Sequence, residues 1–519
     1  MKFYTKIILG LSALLLTSCN DWLDLKPDTQ ATEEEVYATG NGFRSVLNKL
    51  YKSMGGASLY GRELSFGMLD CMSQQYQLDE NFIMDKMYVD AGEYEYNSVD
   101  LKPVVDDIWK SAFYIVANAN DLLQNLKNAS PDLFREGEME RDLIMGEAYA
   151  CRALMHFDLL RLYAPAPVHD DGRAYVPYVE KYPDIQASAI PVKSFLEKVI
   201  ADLEQARSLV AAYDTSGIGK GTLINGESRF ENKFVYGTEI YPIAKQVDDF
   251  FKGRGYRMNY MTITALLARV YQYADNMDKA FECAKKVMDF EVNGTGAFTT
   301  DDYTGVRNTE PDKKTDLKVK SNLIFAIYNE KAYEDLNLEK YFKRESAGGG
   351  IDWLAIRDKE KLFTSRSGIN ESNDYRCASM IFQARYTSWM MEFPLSAKWY
   401  LSTDESVRNN NLSILPVIRA TEMRYIMAEY YARQGNWGEA RNILMEVRAA
   451  RNVTTDISIN SWDDFEAELL LDARREWIAE GQLFYLYKRL DADVDFGNAV
   501  VRPLQRDEYL LPVPANQSL

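Results

Sequence analysis

Two stretches of this sequence share one spacing: residues 268–287 read ARVYQYADNMDKAFECAKKV, and residues 428–447 read AEYYARQGNWGEARNILMEV. In each, an alanine is followed by tyrosine three positions on, by alanine twelve on, and by apolar residues four and seven further. The two sets match at a constant offset of 160 residues: Ala268, Tyr271, Ala280, Ala284 and Val287 align with Ala428, Tyr431, Ala440, Leu444 and Val447. This periodicity predicts a pair of amphipathic helices in each stretch, joined by the polar turns DNMDKA and GNWGEA.

The spacing is similar to that of a tetratricopeptide helix pair. The two alanines let the helices approach closely, and the tyrosine caps their contact. Coincidental amphipathic helices are the alternative interpretation. Because the two copies are far apart in the sequence, a plain solenoid of adjacent repeats is not expected.

Helical periodicity extends over most of the chain, whereas strand-like alternation is scarce. The best strand candidate is Ser321–Tyr328, SNLIFAIY. Long loops occupy 214–256, 293–320 and 343–400, and loops of this length in a compact body are usually functional or disordered. The predicted fold class is mainly α, a tetratricopeptide-like helix-pair scaffold with long ligand-binding loops. Predicted helices cover Trp109–Leu126, Arg141–Tyr163, Val192–Tyr213, Asn259–Tyr273, Met277–Phe290, Thr421–Gln434, Trp437–Ala450 and Trp462–Leu490.

The composition is that of a globular protein with a sizeable core, since 46% of its 519 residues are hydrophobic. The chain has 60 basic and 78 acidic residues, a net charge of −18. Removal of residues 1–18, which contain Lys2 and Lys6 and no acid, leaves 58 basic residues and a net charge of −20. A surface this acidic argues against nucleic acid or anionic lipid headgroups as partners.

The N-terminus predicts export and a lipid anchor. Residues 1–18 combine a basic start with the short apolar run Ile7–Leu16, which is typical of a signal peptide and too short to span a bilayer. Leu16-Thr17-Ser18-Cys19 is similar to a bacterial lipoprotein cleavage site. Cleavage before Cys19 would make its thiol the attachment point for acyl chains, and two or three chains anchor a protein firmly. The alternative is an ordinary secretory signal with a chance cysteine.

The other cysteines form no CxxC pair, and an exported chain of this size has core enough to fold without disulfides. We predict free, mostly buried thiols at Cys71, Cys151, Cys283 and Cys377.

The sequence contains no recognisable catalytic motif. The chain contains two histidines: His156 falls within a predicted helix, where packing is expected, and His169 falls in a Pro- and Asp-rich loop, where solvation is expected. Neither has metal-ligand spacing, no GxSxG elbow occurs, and no spacing singles out a carboxylate pair. We predict no catalysis and no resident cofactor.

One acidic segment, Asp491-Ala-Asp-Val-Asp-Phe-Gly497, has the alternate carboxylates of a calcium loop. Phe496 stands in place of the turn glycine, and Arg502 stands in place of the closing glutamate, so a standard EF-hand is excluded. A solvated acidic loop is favoured, and a looser calcium site is the alternative.

Five motifs occur in order along the chain: Cys19–Pro27, Trp109–Asn120, Ala148–Pro167, the C-terminal set formed by Pro416–Glu429 with Arg474–Glu476, Glu480-Gly481 and Phe484-Tyr485, and the terminal LPVP of Leu511–Pro514. Together these motifs resemble those of the SusD/RagB family of outer-membrane nutrient-binding lipoproteins of Bacteroidetes. Gln482 stands where histidine or asparagine is commoner in that family, and Ala473 precedes Arg474-Arg475 where glutamate is frequent. Both departures fall at positions expected to be structural, and Arg475 and Glu476 are predicted to be salt-bridged framework.

The resemblance implies a mostly helical body, a surface-exposed position at the outer membrane, and a SusC-like TonB-dependent transporter as partner. The lipoprotein would act as the hinged lid of that transporter. The resemblance also divides the chain into four parts: a signal peptide (1–18), a SusD-like N-terminal helical region (19–215), a central tetratricopeptide-like helix pair with loop insertions (216–320) and a RagB/SusD C-terminal region (321–519).

Aromatic residues in loops give the candidate ligand surface. Sugar rings lie with their C–H faces on aromatic faces while their hydroxyls bond amides and charges, so a glycan site mixes these groups. Two stretches qualify, Gln74–Asn97 and Gly348–Trp399, although most aromatic residues in helical proteins belong to the core. Asn373-Asp374-Tyr375-Arg376 resembles a recurrent family stretch and is expected to be framework. The candidate ligand-binding residues are Tyr76, Tyr94, Tyr96, Asn97, Trp353 and Trp389.

The predicted function is capture of an oligosaccharide and its delivery to the transporter. One alternative keeps the architecture and changes the ligand to oligopeptides, as in the RagB branch. A second alternative is a helical-repeat scaffold that binds only partner proteins. A third is a surface glycosidase, which would be recognised by its turnover of substrate.

Overall fold

Helices dominate the architecture. A computed structural model describes residues 32–78, 85–184, 186–231, 247–300, 303–308, 310–497 and 499–515. Its α-helices, in chain order, are α1 (Glu33–Val36), α2 (Gly40–Met54), α3 (Met68–Met72), α4 (Lys86–Gly92), α5 (Lys102–Asn128), α6 (Gly137–Tyr163), α7 (Val192–Asp214), α8 (Gly217–Gly221), α9 (Gly226–Glu231), α10 (Tyr260–Tyr273), α11 (Met277–Met288), α12 (Ala332–Asp335), α13 (Leu338–Phe342), α14 (Lys359–Leu362), α15 (Tyr375–Ala378), α16 (Glu405–Leu412), α17 (Ala420–Arg433), α18 (Trp437–Ala450), α19 (Trp462–Glu476), α20 (Leu483–Leu490) and α21 (Arg506–Tyr509).

The strands are short and form small separate sheets. They are β1 (Ala174–Pro177), β2 (Ala189–Pro191), β3 (Glu291–Val292), β4 (Thr295–Gly296), β5 (Leu323–Tyr328), β6 (Glu345–Ser346), β7 (Ile381–Tyr386), β8 (Met391–Ser396), β9 (Ile414–Arg419), β10 (Val494–Gly497) and β11 (Val500–Arg502). Antiparallel pairs join β1 to β2, β3 to β4, β5 to β9, β7 to β8 and β10 to β11, and β6 pairs in parallel with β7. Sheets this small depend on the helices around them for stability.

The two repeated stretches form the predicted helix pairs, α10–α11 and α17–α18, which confirms the tetratricopeptide-like scaffold. Their turns repeat as well. Asp275 and Gly435 occupy equivalent positions, and both adopt left-handed backbone, with φ of 58° and 72°. The next residue in each copy caps the following helix: the Asn276 side chain accepts from the Lys279 amide, and the Asn436 side chain accepts from the Glu439 amide.

The two pairs lie side by side although 160 residues separate them. Phe281 of α11 stacks on Tyr430 of α17, with ring centroids 4.2 Å apart. The buried guanidinium of Arg269 donates to both carboxylate oxygens of Glu422 at 2.6 Å, which joins α10 to α17. The repeats therefore share one interface despite the long intervening segment.

The N-terminal region is built on the long helices α5, α6 and α7. Helix α5 begins at Lys102, seven residues before the predicted start, because Pro103 fits the first turn of a helix. One buried arginine connects the three helices: Arg152 donates to Asp202 at 2.7 and 2.6 Å and to Asn120 at 2.6 Å.

Two sequence-based expectations about the C-terminal region are wrong. The single helix predicted over Trp462–Leu490 is broken into α19 and α20, because Ala479 and Gly481 adopt left-handed backbone with φ of 61° and 69°. The long stretch 343–400 is not all loop, since it contains the hairpin of β7 and β8.

The residues expected to be framework form a buried ion-pair network, as predicted. Arg475 pairs with Glu371 at 2.6 Å, Arg376 pairs with Asp374 at 2.8 Å, and Glu476 pairs with Arg451 at 2.7 Å. Burial alone would raise the pKa of Glu476, but the guanidiniums of Arg451 and Arg376 hold that pKa well below its usual value.

The four thiols at Cys71, Cys151, Cys283 and Cys377 are free and buried, as predicted. Within the described ranges, no helix combines the length and apolar character needed to cross a bilayer. The signal peptide (1–18) and Cys19 lie outside these ranges, and so does part of the first candidate ligand stretch, residues 79–84.

Candidate functional site

The two candidate ligand stretches lie next to each other. Tyr76 and Ile356 form an antiparallel bridge, with the Gln77 amide donating to the Ala355 carbonyl at 2.8 Å. The Ile356 amide in turn donates to the Pro394 carbonyl of β8 at 2.8 Å. Backbone pairing thus joins residues near 76, 356 and 394, which sequence alone could not place together.

Three of the predicted ligand residues belong to the core. Tyr76, Tyr96 and Trp353 are 1%, 4% and 1% exposed. The hydroxyl of Tyr76 donates to Asp70, that of Tyr96 donates to the Glu508 carbonyl, and Trp353 packs edge-on against a phenylalanine ring. Their rings offer no open face in this conformation, and ligand contact by them stays a prediction.

The other three candidates lie nearer to solvent. Trp389 is 59% exposed in the turn between β7 and β8, against the ring of Tyr386. Asn97 is exposed, and Tyr94 is partly buried. Tyr94 lines a pocket of about 480 Å³, and the wall of this pocket contains neither Asn97 nor Trp389.

The Tyr94 pocket is formed where two residues hold strained backbone. Gln74 and Tyr94 have φ of 58° and 61°, a left-handed conformation that non-glycine residues rarely adopt. The Gln74 amide donates to the Gly92 carbonyl at 2.7 Å, and the Tyr94 hydroxyl donates to the Met72 carbonyl at 2.6 Å. Such strain costs about 1–3 kcal/mol per residue and concentrates at functional sites. The surrounding hydrogen bonds hold both side chains in fixed positions.

The opposite wall of the pocket comes from the C-terminal hairpin and α21. The Arg502 guanidinium lies over the Phe496 ring, 4.3 Å from its centroid, and donates to both carboxylate oxygens of Glu508 at 2.7 Å. Burial alone would raise the pKa of Glu508, but Arg502 holds it below its usual value. The ring of Tyr94 meets that of Phe496 edge-on at 6.2 Å. Two part-exposed aromatic rings therefore stand beside a fixed ion pair.

This arrangement combines apolar ring faces with amide, carboxylate and guanidinium groups in one cavity. It suits an amphipathic ligand such as a sugar ring. Sequence reasoning missed Phe496 and Arg502 as pocket residues. The available signal was Gly497, whose φ of 82° marks the turn of a hairpin.

The two histidines, His156 and His169, differ in burial and in their contacts. His156 is fully buried, stacks on Tyr178 with centroids 3.9 Å apart and accepts from the Val179 amide at 3.0 Å. Burial lowers its pKa well below the usual value, and the predicted packing role is confirmed. His169 is partly exposed, as expected of its loop, and it also makes two contacts. Its ring stacks on Tyr509 at 5.1 Å, and its Nε2 lies 2.9 Å from Asp491.

The acidic segment 491–497 is partly strand rather than open loop, and two of its carboxylates face basic groups. Asp491 meets His169, and Asp495 pairs with Lys361 at 2.5 Å. Among the described residues, no cluster of three or more His, Cys, Asp or Glu side chains could hold a metal ion. A looser calcium site stays the untested alternative.

Comparison of the sequence with protein families matches residues 21–218 to a SusD-like family described as "Starch-binding associating with outer membrane". SusD-like protein P2 of Formosa agariphila is 26% identical over 208 residues, which are 40% of this chain and 38% of that protein. SusD-like protein P25 of the same organism is 23% identical over 176 residues, 33% of this chain and 32% of that protein. The matches thus span about a third of these relatives' length.

Comparison of the fold gives matches along nearly the whole chain. A SusD-like carbohydrate binding protein from Bacteroides vulgatus superposes with a TM-score of 0.64 at 17% identity, covering 92% of this chain and 95% of the other. A SusD superfamily protein from Bacteroides fragilis gives 0.64 at 18% identity, with 92% and 97% covered. Surface glycan-binding protein A from Bacteroides fluxus gives 0.59 at 15% identity, with 92% and 95% covered. At these identities, the likeness concerns the fold.

Proposed function

We propose that this chain is a SusD-like protein that captures oligosaccharides at the outer membrane. The family match over residues 21–218 and the similar fold of the solved structures support this proposal. The single observation that carries the proposal is the Tyr94 pocket, which lies where the first candidate ligand stretch meets the C-terminal hairpin and α21. The matched family is described as starch-binding, and two of the similar structures are described as carbohydrate-binding and glycan-binding proteins, which supports the same ligand class for this chain.

The chemistry of the pocket supports a sugar ligand. A pyranose ring presents C–H groups on its faces and hydroxyls around its edge. The part-exposed rings of Tyr94 and Phe496 suit the faces, while Gln74, Glu93 and the Arg502–Glu508 pair suit the hydroxyls. The hydrogen bonds made by the Gln74 and Tyr94 side chains hold these two residues in place before ligand arrives, which reduces the entropy lost on binding.

The proposal extends to the position and partner of the protein. A lipid anchor at Cys19 would hold it on the membrane while leaving it free to pivot. A SusC-like TonB-dependent transporter would be its partner, with this protein as the hinged lid. Ligand enclosed between lid and transporter would be retained at high effective concentration until transport.

Capture without catalysis is part of the proposal. A hydrolase needs a positioned acid and base with pKa values matched to their roles. In this pocket both oxygens of Glu508 are engaged by Arg502, which favours a structural carboxylate. His156 is buried in a helix and keeps no access to a ligand.

Calorimetric titration of residues 20–519 tests the proposal. The titrants are hexasaccharides of α-glucan, β-glucan, xylan and galactan, with mixed oligopeptides of six residues as the control ligand. We expect saturable binding to at least one hexasaccharide with no hydrolysis product. Phe496→Ala should weaken it about tenfold or more. Val501→Ala is the matched control, because Val501 is 57% exposed on the same hairpin.

The outcomes separate the alternatives. Binding of oligopeptides alone would replace the glycan proposal with RagB-like peptide capture, and release of shorter sugars would make the protein a glycosidase. Equal affinity of Phe496→Ala and the parent chain would remove the Tyr94 pocket from the proposal.

The anchor and partner need a separate experiment in cells. The full chain and its Cys19→Ser variant are compared by membrane fractionation and by affinity purification. We expect the parent chain in the outer membrane together with a TonB-dependent transporter, and the variant in the soluble fraction. Membrane retention of Cys19→Ser would contradict the lipid anchor.

A further inference from the structure

A second and larger cavity lies outside both candidate ligand stretches. It encloses about 940 Å³ between the C-terminal end of α2, the end of β5 and the segment 252–257. Its wall shares no residue with that of the Tyr94 pocket. We call it the Tyr328 cleft, after a half-exposed tyrosine in its wall.

A ladder of three aromatic rings forms one wall of the Tyr328 cleft. Phe230 and Tyr256 meet edge-on with centroids 5.0 Å apart, and Tyr256 and Tyr328 do so at 5.2 Å. Burial increases along this ladder from Tyr328, which is 49% exposed, to Phe230, which is 6% exposed. The outer ring therefore presents a face to solvent while the inner rings fix its position.

Polar groups surround this ladder. Asn48 and Lys52 come from α2, and Asn329 and Lys331 come from the segment that follows β5. Asp335 adds a carboxylate at the end of α12. Amide, ammonium and carboxylate groups thus line one cavity together with an aromatic face, which is the mixture that recognises a polyhydroxylated ring.

Contacts between neighbouring segments hold the frame of the Tyr328 cleft. The Arg257 guanidinium lies 4.9 Å from the Tyr51 ring centroid and donates to the Asn48 side chain at 2.6 Å. The Asn329 amide donates to the Gly55 carbonyl at 3.3 Å, which joins the end of β5 to the end of α2. A Cβ at Gly55 would lie 3.1 Å from Ile327, so the absence of a side chain permits this approach.

The charges favour a neutral ligand. The basic side chains Lys52, Lys252, Arg257 and Lys331 and the acidic side chains Glu231, Glu330 and Asp335 all contribute to the wall. Neither sign dominates, so a strongly anionic or cationic ligand would meet like charge. A neutral sugar, with donors and acceptors around its ring, can bond groups of both signs.

We propose that the Tyr328 cleft is a second oligosaccharide-binding site, separate from the Tyr94 pocket, which takes a neutral pyranose segment against the ring of Tyr328. The inference rests on the proposed function for its ligand class alone. Two sites on one chain would bind two segments of a long polysaccharide, and the second contact would form at the high effective concentration set by the first.

Nitration by tetranitromethane, followed by peptide mass spectrometry, measures how accessible the ring of Tyr328 is to the reagent. Residues 20–519 are treated with and without a saturating concentration of each neutral hexasaccharide. We expect one hexasaccharide to slow nitration of Tyr328 at least about fivefold, since a ring covered by a sugar is withdrawn from the reagent. Tyr182 is the internal control, because it is 46% exposed and lies outside both cavities.

Two variants separate the ring from the hydroxyl. Tyr328→Ala should abolish protection and lower the calorimetric stoichiometry from two hexasaccharides per chain to one. Tyr328→Phe keeps the ring face and should retain the second site within about threefold in affinity. Unchanged circular dichroism and melting temperature confirm that the half-exposed position tolerates both changes.

Several results would overturn the inference. They are equal nitration of Tyr328 with and without every hexasaccharide, protection by oligopeptides alone, or equal protection of Tyr182. If Phe496→Ala abolished all sugar binding and Tyr328 were never protected, the second site would fail while the proposed function stood. Absence of any sugar binding in calorimetry would remove both.

Discussion

Replacement of Asp70 by asparagine should remove a loss of folding stability that occurs as pH rises. Asp70 is fully buried, accepts from the Gly481 amide at 3.0 Å and accepts from the Tyr76 hydroxyl at 3.3 Å. Burial raises the pKa of its carboxyl to about 7, although hydrogen bonds from the amides of Gly481 and Ala479 partly oppose the rise. Asparagine has the same shape and keeps an oxygen that can accept from Gly481.

The sign and size of the effect follow from linkage. An unfolded aspartate has a pKa of about 3.9, so between about pH 4 and pH 7 the folded chain holds a proton that the unfolded chain has lost. The free energy of unfolding therefore falls as pH rises through this window. Each unit of pKa difference is worth about 1.36 kcal/mol, which gives about 4 kcal/mol between pH 4 and pH 8. Below pH 4 the contribution of Asp70 is fully present.

The measurement compares urea unfolding of the parent chain and Asp70→Asn at half-unit steps from pH 4 to pH 8. Subtraction at each pH cancels the titration of all other groups. We expect the difference to move by about 4 kcal/mol in favour of Asp70→Asn as pH rises. Asp107→Asn, at an exposed position on α5, is the control for replacing an aspartate by asparagine. A flat difference for Asp70→Asn, or a slope of opposite sign, would refute the reasoning.

Three further predictions concern the buried framework. Glu476→Ala leaves the buried guanidiniums of Arg451 and Arg376 without this partner and should lower the free energy of unfolding by about 3–5 kcal/mol in urea titrations. Gly481→Ala should lower the melting temperature in calorimetry, because a Cβ there would lie 2.3 Å from the Leu64 carbonyl oxygen and φ is +69°. A melting temperature equal to that of Gly348→Ala, where a Cβ meets open space, would contradict this view. Ellman's reagent should find no reactive thiol in native residues 20–519 and four after guanidinium unfolding, because burial raises the pKa of Cys71, Cys151, Cys283 and Cys377. A fast reaction of the native protein would contradict this prediction.

Much of the fold follows from local sequence. The helix pairs 260–288 and 420–450 and the strand Leu323–Tyr328 lie within a few residues of their predicted positions, because their apolar spacing is long and regular. The interruption between α19 and α20 was missed because apolar spacing continues through it. Gly481 was visible there, but nothing local shows that Ala479 adopts the same left-handed backbone.

The candidate site was less predictable because exposure is decided by distant partners. Tyr96 appeared suitable for ligand, yet its hydroxyl donates to the Glu508 carbonyl, 412 residues away. Tyr94, two positions earlier, keeps part of its ring open. Phe496 reaches the same pocket from the C-terminal hairpin. Sequence patterns report which residues are aromatic, whereas tertiary contacts determine which of them meet solvent.

The side-by-side packing of α10–α11 and α17–α18 has a consequence for biosynthesis. Tyr430 follows Phe281 by 149 residues. At about 5–20 residues per second, the first helix pair leaves the ribosome roughly 7–30 s before its partner exists. During that interval the surface of the first pair that packs on α17 is uncovered, and uncovered apolar surface makes a nascent chain prone to aggregation. A chain truncated before residue 420 never covers that surface and should be a preferred substrate for quality-control proteases.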